Sequence, residues 1–216
     1  MTRILLLSTL LLIALTTVML QYTRDSVSAP PPPSNDAAGS GEALVGGDFT
    51  LTDQHGKTVK DADFRGRLML VFFGFTHCPD ICPVTSKTLS DVMTLLDKRA
   101  AQVAPVFISV DPARDAPEVM KAFFAHFDPR IVALTGSDEQ VKQAAAAYKA
   151  YYAKSAPAHD GAHGEGHGDH HAAANGYMVD HSGYVYLMNL YGKYVTHFPF
   201  DVSPQALADA LKPHLE

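Results

Sequence analysis

Lysine and arginine never gather into a run in this sequence. The 17 basic residues are scattered and outnumbered by 23 acidic ones, for a formal net charge of −6. Phosphate binding needs a concentrated basic face. With no such run, and no basic patch interleaved with aromatics, the chain speaks against nucleic acid as a partner. Cysteine is scarcer still. Only Cys78 and Cys82 are present, and neither lies near the N-terminus, which excludes a lipid-modified cysteine anchor there. Charged residues make up 19% and hydrophobic ones 47%, ordinary values for a globular protein. The length of 216 residues suits one main domain with attachments.

The first attachment is an uncharged, mostly apolar run from Ile4 to Leu20, behind Arg3. A spanning helix needs about 20 apolar residues, whereas a secretory signal has a shorter apolar core and a small-residue cleavage site. The one tolerable site, Val27-Ser28-Ala29, is followed by Pro30, a poor feature for cleavage. Residues 1–20 therefore read as an uncleaved membrane anchor, with a cleaved signal as the alternative. Both place the rest of the chain outside the cytoplasm. Residues 21–42, with the core APPPPSNDAAGSG, read as a linker that is stiff at its polyproline end and flexible at its Gly/Ser end.

From Ala43 the pattern is that of a folded domain. DFTLTDQHGKTVK reads as a β-hairpin. Leu68 to Phe75 is a continuous apolar run, as expected of a central strand buried on both faces. Val84 to Ala100 reads as a helix with Val84, Leu89, Val92, Leu95 and Leu96 along one side. Val103 to Asp111 is a second buried strand. A helix follows through Asp115, Ala116 and Pro117, a cap-then-proline start. IVALTG then gives a strand, and Asp138 to Tyr152 a helix. After an interruption at residues 155–176 come YMVDH, YVYLMN, a turn at Tyr191-Gly192, YVTHF and a last helix capped by Ser203. Strands alternating with helices, closed by a hairpin and a helix, predict a three-layer α/β/α domain of the thioredoxin-like class over residues 43–216.

The two cysteines stand in GFTHCPDICP, Gly74 to Pro83, where a buried strand passes into a helix. Ligand and catalytic sites of α/β sheets gather at that edge. In a helical turn Cys78 and Cys82, at i and i+4, would share one face with Cβ atoms about 5–6 Å apart. A disulfide needs about 3.5–4.5 Å. The pair thus suits a shared metal ion better than a bridge, and a helix N-terminus favours the thiolate. Three readings remain: a static disulfide, a reversible dithiol, and two thiolate ligands. The last is preferred. Two thiolates leave zinc short of its usual four ligands, while soft sulfur selects Cu(I). A third ligand is to be sought among the histidines, and the residues alone do not choose it. His77 reads as a strand-end residue turned away from the pair, and His126 and His197 as packing histidines.

FTHCPDICP, SVDPARDAPEVMKAF and YMVDHS, in this order and at these separations, resemble the Sco/SenC copper-chaperone family. The resemblance runs from about Ala43 to the C-terminus, interrupted by the 155–176 insert. It implies a membrane-anchored, thioredoxin-like protein facing the periplasm or the mitochondrial intermembrane space. It implies one copper, Cu(I) or Cu(II), held by Cys78, Cys82 and His181. It places Asp111 beside the site, with an influence on metal transfer or on the thiols. The cargo would go to the dinuclear copper centre of cytochrome c oxidase subunit II or another copper-receiving protein, after arriving from a periplasmic donor. A thiol reductant would keep the cysteines reduced. One departure is the turn Met188 to Gly192, where the family commonly has Asp-Pro-x-Gly. The sequence speaks against a peroxiredoxin-type peroxidase, because Val71 and Phe75 occupy the proline and threonine positions of Pro-x-x-x-Thr-x-x-Cys.

The insert carries His159, His163, His167, His170 and His171 among Gly, Ala and acidic residues. These imidazoles suggest an auxiliary weak site for Cu(II), Zn or Ni, against the plainer reading of a solvated loop. The expectation is therefore a non-enzymatic copper carrier. It would be anchored in the inner membrane through residues 4–20, with its domain in the periplasm. The alternative is a thiol–disulfide oxidoreductase using Cys78 and Cys82 as its redox pair on the same target.

Overall fold

A computed structural model describes residues 45–155 and 177–215. The expected anchor, the linker and the five histidines of the insert lie outside the described residues. Among the described residues no helix is long and apolar enough to cross a membrane.

The core is built on two apolar runs. Strand β3 (Leu68–Gly74) and strand β4 (Val103–Ser109) are buried at every position. They pair in parallel from Leu68 opposite Val103 to Gly74 opposite Ser109. A strand can be apolar throughout only when both faces are covered, and the ring contacts show that they are. Phe72 and Phe73 are adjacent, so they point to opposite faces. Phe72 meets Phe107, which meets Phe124 at 4.9 Å between centroids. Phe124 belongs to helix α2 (Pro117–Phe124), on the same side as helix α1 (Ile81–Leu96). Phe73 meets Tyr148 and Tyr186 on the other side, beneath the end of helix α3 (Asp138–Ala147). Helix α4 (Pro204–Leu211) packs against α1. The result is the α/β/α sandwich expected.

The remaining strands complete a seven-stranded sheet. They are β1 (Thr50–Asp53), β2 (Thr58–Lys60), β5 (Val132–Thr135), β8 (Tyr184–Met188) and β9 (Tyr194–Pro199), in the order β2-β1-β5-β4-β3-β8-β9. The β1–β2 hairpin turns at Gly56, with φ +80°, and Asp53 Oδ1 accepts the amides of His55 and Lys57. At the β8–β9 turn Asn189 Oδ1 accepts the amides of Tyr191 and Lys193. A side-chain acceptor thus shapes the tip where the family pattern has aspartate and proline. Ser203 caps α4 as expected, its hydroxyl accepting from the Ala206 amide. Strands β6 (Tyr152–Ser155) and β7 (Met178–His181) form a separate two-stranded ribbon, with Tyr152 opposite His181 and Ser155 opposite Met178.

Three expectations are corrected. Val84 and Leu95 are not on the buried side of α1; they are half exposed, and Cys82, Thr85, Ser86, Leu89, Val92, Met93 and Leu96 face the core. Helix α3 stops at Ala147 instead of Tyr152, because Lys149 takes φ +55° and releases the chain into β6. Asp115 does not cap α2. Ala116 holds that position without a side-chain bond, and Asp115 is used elsewhere.

Candidate metal centre

The centre forms where β3 ends. Gly74 closes the strand and Cys82 lies in the first turn of α1, fully buried. A Cβ at Gly74 would stand 2.7 Å from Cys82 Sγ, so the missing side chain is what gives the sulfur its room. The Phe75 amide donates to the same sulfur at 3.4 Å. Cys78 lies four residues earlier, in the loop before the helix and half-buried, its amide bonded to the Phe75 carbonyl. The sequence expectation of one helical face is therefore wrong in detail. Helix α1 begins only at Ile81, and a loop brings Cys78 round to Cys82 from outside. Both cysteines are free thiols.

His181 arrives from β7, 99 positions along the chain from Cys82. Its Nε2 lies 3.6 Å from Cys82 Sγ. Its Nδ1 faces the Ser182 carbonyl at 3.2 Å. A carbonyl only accepts, so Nδ1 donates there, and Nε2 is the ring atom turned to the sulfurs. The ring stands edge-on to Phe72 and Phe75, each at 5.9 Å between centroids. The donor atoms of Cys78, Cys82 and His181 all lie within 4.8 Å of one another.

The two sulfurs are unlike. Cys78 is pushed down to about 4, first because Cys82 hydrogen-bonds its thiolate. His181 and the amides of Cys82 and Asp80 add to this, and burial opposes it. Those amides belong to the start of α1, where backbone donors lack helical partners. Cys82 is pushed well above the usual thiol range, by burial and then by the negative Cys78 beside it. The pair without metal therefore shares one proton, thiolate on Cys78 and thiol on Cys82. A metal taking both sulfurs must release that proton.

Several residues that the sequence reading missed hold this arrangement. Asp115 is fully buried and accepts from the Thr76 amide at 3.1 Å, the Thr76 hydroxyl at 2.5 Å and the Ser109 hydroxyl at 2.5 Å. It thus ties the cysteine loop to the end of β4. His77 turns toward Thr76 and Asp115, away from the thiol pair as expected. The only signal in the sequence was polar residues directly after two apolar strands, and the helix-start pattern at Asp115 pointed elsewhere. Asp111 is fully buried. It pairs with Arg114 and accepts from the Tyr177 hydroxyl at 2.6 Å. It does not join the donor group; its link to the site runs through those two side chains. His197 meets the rings of Tyr184, Tyr186 and Tyr194 but is exposed rather than buried among them. His126, in the turn just beyond α2, is exposed rather than packed.

Two thiolates and one imidazole make a soft, three-donor set. No fourth His, Cys, Asp or Glu joins it among the described residues. That falls short of a structural zinc site and could hold one copper ion.

The SCO1/SenC family model matches residues 37–216. The chain belongs to the SCO1/SenC family. A SCO2-like protein of Rickettsia felis is 38% identical over 168 residues, covering 78% of this chain and 76% of the relative. The structure is similar to that of Bradyrhizobium japonicum ScoI with copper bound. The TM-score is 0.67 at 36% identity, over 79% of this chain and 99% of that one. It is also similar in fold to BsSco, a Sco family cytochrome c oxidase assembly protein described as having a disulfide switch. There the TM-score is 0.58 at 23% identity, over 79% of this chain and 93% of that one.

Proposed function

We propose that this SCO1/SenC protein carries one copper ion to a copper-receiving protein during cytochrome c oxidase assembly, the receiver being the dinuclear centre of subunit II. Cys78 and Cys82 supply thiolates and His181 an imidazole. Soft sulfur suits Cu(I), and the imidazole lets the same centre accept Cu(II). The protein is a carrier without turnover. It is held at the inner membrane by residues 4–20 with its domain in the periplasm, loaded by a periplasmic donor and kept reduced by a thiol reductant. The histidines of residues 155–176 add weak Cu(II) capacity nearby. The observation that carries the reading is the convergence of three soft or borderline donors, from a loop, a helix and a separate ribbon, within 4.8 Å.

The test is Cu(I) binding by the reduced protein under anaerobic conditions against a Cu(I)-selective competitor. The Cys78→Ala, Cys82→Ala and His181→Ala variants run beside it. One tight copper per chain is expected, lost in either cysteine variant and weakened in His181→Ala. Tight copper retained without the cysteines would overturn the reading. A His181→Ala variant that binds copper normally and keeps all cellular function would favour the thiol–disulfide oxidoreductase instead.

A further inference from the structure

His181 is the one donor that the main sheet does not position. Strands β6 and β7 form their own sheet, and among the described residues no rung joins that ribbon to the seven-stranded sheet. The bonds between Tyr151 and Ser182 close the ribbon on itself. What ties the start of β7 to the body is a cluster of side chains. Arg114 donates from Nη1 to the Tyr177 carbonyl at 3.2 Å. Its guanidinium lies 3.8 Å from the Tyr177 ring centroid and 5.7 Å from that of Phe75. The Tyr177 hydroxyl reaches Asp111 Oδ1, and Arg114 Nε pairs with the other oxygen of the same carboxylate.

We infer that Arg114 is a positioning residue for His181, a clamp that sets the ribbon by gripping Tyr177 from both its carbonyl and its ring. The inference rests on the copper-carrier reading. Arg114 is a costly residue for mere packing. Its side chain is 6% exposed and Asp111 is fully buried. Its Nη2 is buried with no hydrogen-bond partner among the described residues. A buried ion pair can often be replaced by apolar residues at no loss of stability, and the attested use of such pairs is to fix register. Here a planar, multiply bonding group does what an apolar side chain cannot. It fixes Tyr177 in rotation as well as distance, and Tyr177 directly precedes β7, the strand that ends in His181. The same guanidinium faces Phe75, whose ring stands against His181. The cysteines are held by other groups, namely Asp115 through Thr76, the start of α1, and the space at Gly74. Arg114 should therefore act on the imidazole and leave the thiol pair alone.

The experiment measures copper affinity by competition in Arg114→Lys, Tyr177→Phe, His181→Ala and the doubles Arg114→Lys/His181→Ala and Tyr177→Phe/His181→Ala. Imidazole nitrogen coupling in the Cu(II) EPR spectrum is read alongside. Loss of a partner that orients a metal-bound histidine typically costs about 10–100-fold in affinity. Arg114→Lys is expected to fall in that range, with weakened nitrogen coupling. In the His181→Ala background it should change affinity by less than about twofold, since a group acting through His181 has nothing left to act on. Tyr177→Phe removes one hydroxyl and keeps every apolar contact. It should show a smaller loss that also vanishes in the double, and it carries the test if Arg114→Lys does not fold. Wild-type affinity and nitrogen coupling in both variants would overturn the inference. So would losses of equal size with and without His181, which would mark a general structural role. If His181→Ala alone binds copper normally, the three-donor reading fails and takes the inference with it. A normal His181→Ala loss beside silent Arg114 and Tyr177 variants removes the inference only.

Discussion

Gly74→Ala places one methyl group in the space that Cys82 uses. A Cβ at that position would lie 2.7 Å from Cys82 Sγ and 2.8 Å from the nearest ring atom of Phe107. Heavy atoms settle at about 3.5–4.0 Å, so the sulfur must retreat by about 0.8 Å and the ring by about 0.7 Å. Phe107 is fully buried in a central strand, wedged between the rings of Phe72 and Phe124. Cys82 is fully buried in the first turn of α1, and its short side chain offers one rotation. Overpacking of this kind costs about 1–3 kcal/mol. For a domain of this size each kcal/mol moves Tm by about 2–4 °C, so a fall of about 2–12 °C is expected. The sulfur's share of the shift matters more for function. Ligand distances in a metal site hold to about ±0.2 Å, so a displacement several times larger spoils the donor triangle. It also breaks the bond from the Phe75 amide. A loss of copper affinity of at least about 10-fold follows, on the scale of a misoriented ligand.

The assay pairs thermal unfolding with Cu(I) competition, on Gly74→Ala and on Gly74→Ala/Phe107→Leu. The second change relieves the ring side of the clash and does nothing for the sulfur. Stability should partly return in the double while copper affinity stays low. Wild-type Tm and wild-type affinity in Gly74→Ala would refute the packing argument. Affinity that recovers together with stability would show that Phe107, and not the sulfur, absorbs the clash.

The thiol pair should titrate asymmetrically. Cys78 is lowered in the fold from its ordinary value of 9.0 to about 4. The stabilisation it gives is therefore present above pH 9 and is lost as pH falls through about 4. Iodoacetamide on the metal-free reduced protein at pH 6 should add one group, at Cys78, with Cys82 protected. Mass spectrometry showing equal labelling, or a Cys78 midpoint near 9, would contradict the hydrogen-bonded thiolate. The insert should separate cleanly from the main centre. Because Ser155 and Met178 are partners across β6 and β7, residues 156–176 can be replaced by a short glycine-containing turn. That variant should lose low-affinity Cu(II) binding by titration calorimetry and keep the tight Cu(I) site. Loss of the tight site would make the insert part of it.

The main sheet and the place of the cysteines were legible because their signals are local. Leu68 to Gly74 and Val103 to Ser109 are apolar without interruption, which only a doubly covered strand tolerates, and the cysteines follow the first of them directly. The sides of α1 were misread because Val84 and Leu95 lie off the single buried stripe of Cys82, Thr85, Ser86, Leu89, Val92, Met93 and Leu96, in which polar residues stand where apolar ones were expected. Val84 is half exposed, while Thr85 and Ser86 face in. His181 was reached only through the family motif. Its neighbours Phe72, in the main sheet, and Phe75, in the loop after it, lie far away in sequence, and no periodicity records such a contact. Asp115 was misassigned for the same reason. Asp-Ala-Pro before a helix is a good local cap pattern, and a tertiary bond to Thr76 outweighed it. Burying a carboxylate is justified only by full hydrogen bonding, and the cysteine loop supplied more donors than the helix end.

The two jobs open to a dithiol make different demands on this scaffold. A disulfide requires its sulfurs at about 2.05 Å, so one of them must travel. Cys82 is held in the core by α1, by the Phe75 amide and by the walls around Gly74. The travel falls to Cys78, yet its loop is tied two residues earlier, where Asp115 holds both the amide and the hydroxyl of Thr76. Hydrogen bonds to a buried charge contribute about 1.5–3 kcal/mol each, so slackening this tether opposes closure. A copper ion asks for no bond between the sulfurs and takes the Nε2 already turned toward them, all three donor atoms lying within 4.8 Å of one another. The same groups that oppose a disulfide thus hold the sulfurs ready for a metal. That is the physical ground for preferring the carrier over the reductase.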